Sequence, residues 1–209
     1  MLTAGLTGGI ATGKSTVAEM FREMGAAIVC ADRLARDAVR KGEPARDEIV
    51  AAFGAEVLGP DGELDREEVG RRIFPDPEAR RRLEAIVHPR VFAAMEDRIA
   101  EIGRENPGSV AILDVPLLFE SGMERRLRPI IVVYAPEATQ RARLMARDGR
   151  SEAEAQDRIA AQMSIEEKRR RADRIIDNGG SLDETRRQVA EIYEWLIDRD
   201  VSRLEGRSS

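Results

Sequence analysis

Residues 5–16 read GLTGGIATGKST. Within them Gly8, Gly13, Lys14 and Ser15 fall at the spacing G-x-x-x-x-G-K-S. The apolar run LTAGL (2–6) precedes them, and a segment with Val17, Met20, Phe21 and Met24 at helical spacing follows. In that setting the pattern predicts a loop that cradles phosphate groups. Gly8 and Gly13 let the backbone approach a polyphosphate, the freed N–H groups form an anion nest, and the helix N-terminus adds partial positive charge. Lys14 can neutralise β and γ phosphates as a point charge, and Ser15 can offer its hydroxyl to Mg²⁺. Asp32 closes a second apolar run. At the carboxyl edge of a doubly wound sheet it can take the proton of an attacking hydroxyl, or it can cap the segment RLARDAV. Asp114 closes a third run, where it can hold Mg²⁺ through water or cap a turn.

The remaining composition narrows the chemistry. Of 34 basic residues only Lys14, Lys41 and Lys168 are lysines. A lysine at position 14 therefore runs against the habit of the chain. One histidine, His88, and one cysteine, Cys30, leave no His/Cys zinc cluster and no internal disulfide. A formal net charge of −5 argues against a nucleic-acid footprint. No apolar run is long enough to span a bilayer, and MLTAGLTGG has neither the charge nor the apolar stretch of a secretory signal. A cytoplasmic location is expected, with no nucleic-acid or membrane partner. No helix carries sustained heptads, so a monomer or weak homo-oligomer is expected.

The elements that must position these residues form an α/β pattern. Apolar runs at 2–6, 26–31, 110–115 and 130–134, with a short one near 174–177, predict a five-stranded parallel sheet flanked by helices. The segment between Asp32 and Asn106 reads as helices broken by turns, with Pro44 at a helix entry, Asp65 as an N-cap and a stop at Pro89. Polar helices are expected at 136–149 and at 151–163, the second opened by a Ser151/Glu154 capping box. The organisation is a nucleotide-binding core of 1–32, 107–138 and 172–200, a helical insertion of 33–106, a lid of 139–171, and a frayed tail of 201–209.

A phosphate loop alone specifies a nucleotide. The short chain, the absence of an N-K-x-D base-reading pattern, and an arginine-dense helix pair at 141–158 favour a small-molecule kinase with a closing lid.

The ordered motifs GLTGGIATGKST, ADRLARDAV, HPRV, DVPLLFESG, RLMARDG and IDNGG resemble the dephospho-CoA kinase family over residues 3–196. The resemblance implies a P-loop kinase fold with a helical substrate-binding insertion and a helical lid. It also implies transfer of the γ-phosphoryl group of ATP to the ribose 3′-hydroxyl of dephospho-CoA. ATP and Mg²⁺ would sit at Ala11, Thr12, Gly13, Lys14, Ser15 and Thr16, and Asp32 would be the base. His88 and Pro89 would mark the turn of the insertion back towards the substrate. Leu117, Leu118, Phe119 and Glu120 would line the acceptor site. Arg143 and Arg147 match the lid arginines, and Asn178 the loop near adenine. The family commonly carries Gly-Ser where this chain has Ala11-Thr12, and the Cβ of Ala11 predicts ordinary backbone angles there. The nearest alternative is another small-acceptor P-loop kinase, such as a nucleoside monophosphate kinase.

Overall fold

Long apolar runs without alternation form strands covered on both faces, and the central strands here are of that kind. The computed structural model describes residues 1–205. It divides into two compact units, Met1–Val29 with the chain from Ile99 onward, and Cys30–Arg98.

The first unit holds the sheet. Strands β1 (Leu2–Gly8), β2 (Ala27–Cys30), β3 (Val110–Asp114), β4 (Ile130–Tyr134) and β5 (Arg174–Asp177) lie in the order β2-β3-β1-β4-β5. Strand β1 pairs in parallel with both β3 and β4, and β4 with β5. The chain thus leaves the central strand at the point where the strand order reverses, which is where α/β sheets place their ligands. Alternate residues Leu2, Ala4, Leu6, Val110, Ile112, Ile131 and Val133 form one buried face. It packs on Val17, Met20 and Phe21 of α1 (Lys14–Glu23) and on Val189, Ile192 and Leu196 of α9 (Leu182–Glu205). Each of the larger of these side chains contributes roughly 1.5–3 kcal/mol by leaving water. On the opposite face Leu118 and Leu127 pack against Gly5.

Three helices follow β4. Helix α6 (Glu137–Asp148) ends at Gly149. Helix α7 (Glu152–Ala160) opens on the expected Ser151/Glu154 capping box. Helix α8 (Ile165–Arg171) lies beyond the two polar helices expected from the sequence, within the expected lid. Ser164 caps it by accepting from the Glu167 amide at 3.2 Å. Helix α9 reaches Glu205, and residues 206–209 of the expected tail lie outside the described residues.

The second unit is helical: α2 (Ala31–Asp37), α3 (Pro44–Phe53), a 3₁₀ turn (Ala55–Val57), α4 (Arg66–Ile73), and the first part of α5 (Pro77–Glu105). Pro44 opens α3 and Gly54 closes it. Asp65 caps α4 by accepting from Glu67 and Glu68. Asp76 accepts from the Ala79 and Glu78 amides, which hold its carboxyl below the usual range. The stop expected at Pro89 is absent, and α5 runs through it. A proline removes one helical hydrogen bond. Here Arg90 Nη1 donates to the Ile86 carbonyl at 2.6 Å on the turn before the proline, and Val91 and Met95 continue the buried stripe. His88 and Pro89 therefore sit mid-helix rather than at a turn. The His88 ring meets Phe92 edge-on at 6.2 Å. The unit encloses a cavity of about 670 Å³, with Val39, Ile49, Leu64 and Val87 among its apolar walls and Asp32, Arg36, Arg40 and Arg66 among its charged ones.

Candidate active site

The loop between β1 and α1 is set by backbone conformations that few residues accept. Gly8 is buried at the end of β1, where a Cβ would lie 2.7 Å from Thr12 Oγ1 and 2.8 Å from the Val133 carbonyl. Gly13 has φ +86° and starts α1 without a side-chain cap. Ala11 has φ +58°, so the ordinary angles expected from its Cβ are not found. A left-handed alanine costs about 1–2 kcal/mol, and the loop is anchored on both sides of it. Gln162 Oε1 accepts from the Ile10 amide at 2.9 Å, and Asn178 Nδ2 donates to the Thr12 carbonyl at 2.7 Å. Thr12 is buried, and its hydroxyl donates to the Gly9 carbonyl at 2.9 Å.

Among the described residues the amides of Ala11, Gly13, Lys14 and Ser15 donate to no group. Unpaired donors at a helix start, with a partial positive charge behind them, form a ready cradle for an anion. The Ser15 and Thr16 hydroxyls are exposed beside it. This donor set fits a nucleotide polyphosphate with a hard divalent cation. The nest and Lys14 suit the phosphates, and Ser15 suits the cation, whose other ligands would be phosphate oxygens and water.

Lys14 pairs with Asp114, and both side chains are largely buried, 16 and 13 % exposed. The aspartate holds the lysine at the mouth of the loop. Replacing Lys14 with Met is expected to weaken nucleotide binding and turnover together by roughly ten- to a hundred-fold, the effect of removing one charged hydrogen-bonding partner. Isothermal titration with ATP, alongside steady-state rates, checks this, and full retention of both would refute the loop assignment.

Arg143 on α6 reaches the loop. Its Nη2 donates to the Asn178 carbonyl at 2.8 Å, and its Nη1 lies 3.5 Å from the Thr12 carbonyl. Arg147, one turn further, is exposed and bonded to Asp148 at 2.7 Å, which raises its pKa and lowers that of the aspartate. Asn178, expected near adenine, is 4 % exposed. Its amide is committed to Thr12, and its Oδ1 accepts from Thr185 at 2.9 Å.

The turn after β3 divides the four residues expected at the acceptor site. Leu117 is exposed, whereas Leu118 and Phe119 are 0 and 5 % exposed and belong to the core. Glu120 pairs with Lys168 at 2.8 Å and accepts from the Met163 amide at 3.1 Å. Asp32 stands at the second position of α2. The N-cap there is Cys30, without a side-chain bond, so capping does not account for Asp32. Its carboxylate is exposed and faces the cavity of the second unit.

The family model described as dephospho-CoA kinase matches residues 2–184. The chain belongs to the dephospho-CoA kinase family. A family member from Symbiobacterium thermophilum is 53 % identical over 90 % of this chain and 79 % of its own. The solved dephospho-CoA kinase of Campylobacter jejuni superposes with a TM-score of 0.70 at 29 % identity, covering 95 % of this chain and 98 % of its own. The Thermus thermophilus structure of TT1252 gives 0.80 at 39 % identity, covering 91 % and 95 %.

Within this kinase fold, Gln162, Lys168 and Thr185 are site-supporting residues that motif reading passed over. Two signals bore on them. Ser164 and Glu167 repeat the capping spacing of Ser151 and Glu154, and Lys168 is a lysine in a chain that otherwise writes arginine.

Proposed function

We propose that the chain transfers the γ-phosphoryl group of ATP to the ribose 3′-hydroxyl of dephospho-CoA, giving coenzyme A and ADP. The family match over residues 2–184 carries this reading. The open amides of the loop support the nucleotide half of it. The cavity of the second unit supports the acceptor half, with apolar walls suited to a pantetheine arm and Arg36, Arg40 and Arg66 suited to a diphosphate.

In this reading Lys14 and the loop amides hold the phosphates, and Arg143 adds charge from the lid side. Asp32 accepts the proton of the sugar hydroxyl as its oxygen bonds to the γ-phosphorus and the bond to the bridging oxygen of ADP breaks. Ser15 would hold a bound Mg²⁺, which would supply electrostatic relief for the charge on the phosphate oxygens. Arg147 is turned to Asp148, and lid closure is the movement that would free it for phosphate.

Among the described residues no helix is long and apolar enough to cross a membrane. A single cysteine suits the reducing cytoplasm. A coupled assay of ADP release with dephospho-CoA, AMP, UMP, CMP, shikimate and gluconate tests the proposal. Turnover is expected with dephospho-CoA, whereas a preference for any other acceptor, or none for dephospho-CoA, would overturn it.

A further inference from the structure

Lys168 is fully buried, an expensive state for an ammonium group. Its Nζ donates to two backbone carbonyls and pairs with one carboxylate, on the phosphate loop and on the turn after β3. Nζ lies 3.3 Å from the Gly8 carbonyl where the phosphate loop begins, 3.2 Å from the Pro116 carbonyl, and 2.8 Å from Glu120 Oε1. The Pro116 carbonyl also accepts from Thr7 at 3.0 Å, and Glu120 Oε1 from the Met163 amide at 3.1 Å. Gln162, six residues before Lys168, holds the Ile10 amide. The short segment 162–168, directly after α7, thus grips the first half of the phosphate loop at two points and the turn after β3 at two more.

The side-chain type fits the task. A tetrahedral ammonium directs three donors at oxygens from three directions, which the planar fork of arginine cannot do. The chain places one of its three lysines here.

We infer that Lys168 is a positioning residue for the nucleotide site, holding the phosphate loop in its binding shape and linking it to the end of the lid. The inference rests on the nucleotide reading of the loop but not on the identity of the acceptor. Lys168 acts through Gly8 and through the register of segment 162–168.

Lys168→Met alone leaves the Glu120 side chain, 24 % exposed, without its cation, and it is expected to lower the melting temperature. The decisive protein is therefore Lys168→Met with Glu120→Gln, which removes both charges. Calorimetry is expected to put its melting temperature no more than about 7 °C below the parent, the cost of the Gly8 carbonyl's lost donor. Titration with ATP and Mg²⁺, with no acceptor present, is expected to show affinity about ten-fold weaker, because the Gly8 carbonyl has lost its tether. A passive ion pair would recover stability and affinity together in the double variant. A double variant with parental affinity, or one that fails to fold, would overturn the inference. The first outcome would make the cluster inert, and the second would make it a folding element alone. Dephospho-CoA turnover by the parent is read separately, so failure of the acceptor assignment cannot be mistaken for failure of this one.

Discussion

Replacing Asp32 with Asn is expected to lower turnover by about 10²-fold or more while leaving ATP affinity within about two-fold of the parent. The substitution keeps size and shape and removes only the capacity to take a proton. Stability should change little. Asp32 is exposed, makes no cap, and forms no ion pair or hydrogen bond among the described residues. An exposed carboxylate at a helix start, left without a structural partner and bordering a cavity, is free for chemistry in a way that Asp65, Asp76 and Asp114 are not. Single-turnover kinetics, with ATP binding measured separately, provide the check. Parental turnover in Asp32→Asn would remove the residue from the chemistry and favour a protein that binds nucleotide without transferring it.

Gly13→Ala is expected to damage both the loop and its ligand binding. At φ +86° an L side chain costs about 1–2 kcal/mol. The added Cβ would also lie 2.1 Å from Asn178 Nδ2. Asn178 cannot give way without cost, because it is buried and bonded to both the Thr12 carbonyl and Thr185. Displacing it strands a buried carbonyl, which adds about 1–3 kcal/mol. The sum corresponds to a melting temperature lower by roughly 5–15 °C for a chain of this size. Nucleotide affinity should fall by at least about 10²-fold, as two or more loop amides lose their aim at phosphate. Differential scanning calorimetry and ATP titration read the two effects. Unchanged affinity would mean that the nest is not where the phosphates bind.

The positions of Gly8, Gly13, Lys14 and Ser15 were legible because their demands are local. A strand must end, a backbone must turn, and a helix must start within eight residues. The central strands β1, β3 and β4 were legible for a similar reason, since apolar runs long enough to cross a covered sheet have few other uses. Boundaries failed where a neighbour overrode the local signal. Pro89 punctuates the sequence, yet a 29-residue helix with a continuing apolar stripe carries through it. The motif PLLFE marks the turn after β3, but only packing against Gly5 shows that Leu118 faces the core while Leu117 remains open.

The sequence by itself determined the chemistry on offer: a phosphate loop, a lysine to charge it, an acid after the second strand, and the order of the elements that carry them. Spacing and periodicity express those features, and both are written between near neighbours. The tertiary structure decided how the loop is held. Lys168 meets Gly8 across 160 residues, Asn178 meets Thr12 across 166, and Gln162 meets Ile10 across 152. Such contacts leave no period in the chain. They exist only once the sheet brings β1, β4 and β5 side by side, because a buried ammonium or amide is tolerated only where folding has already gathered the oxygens that satisfy it.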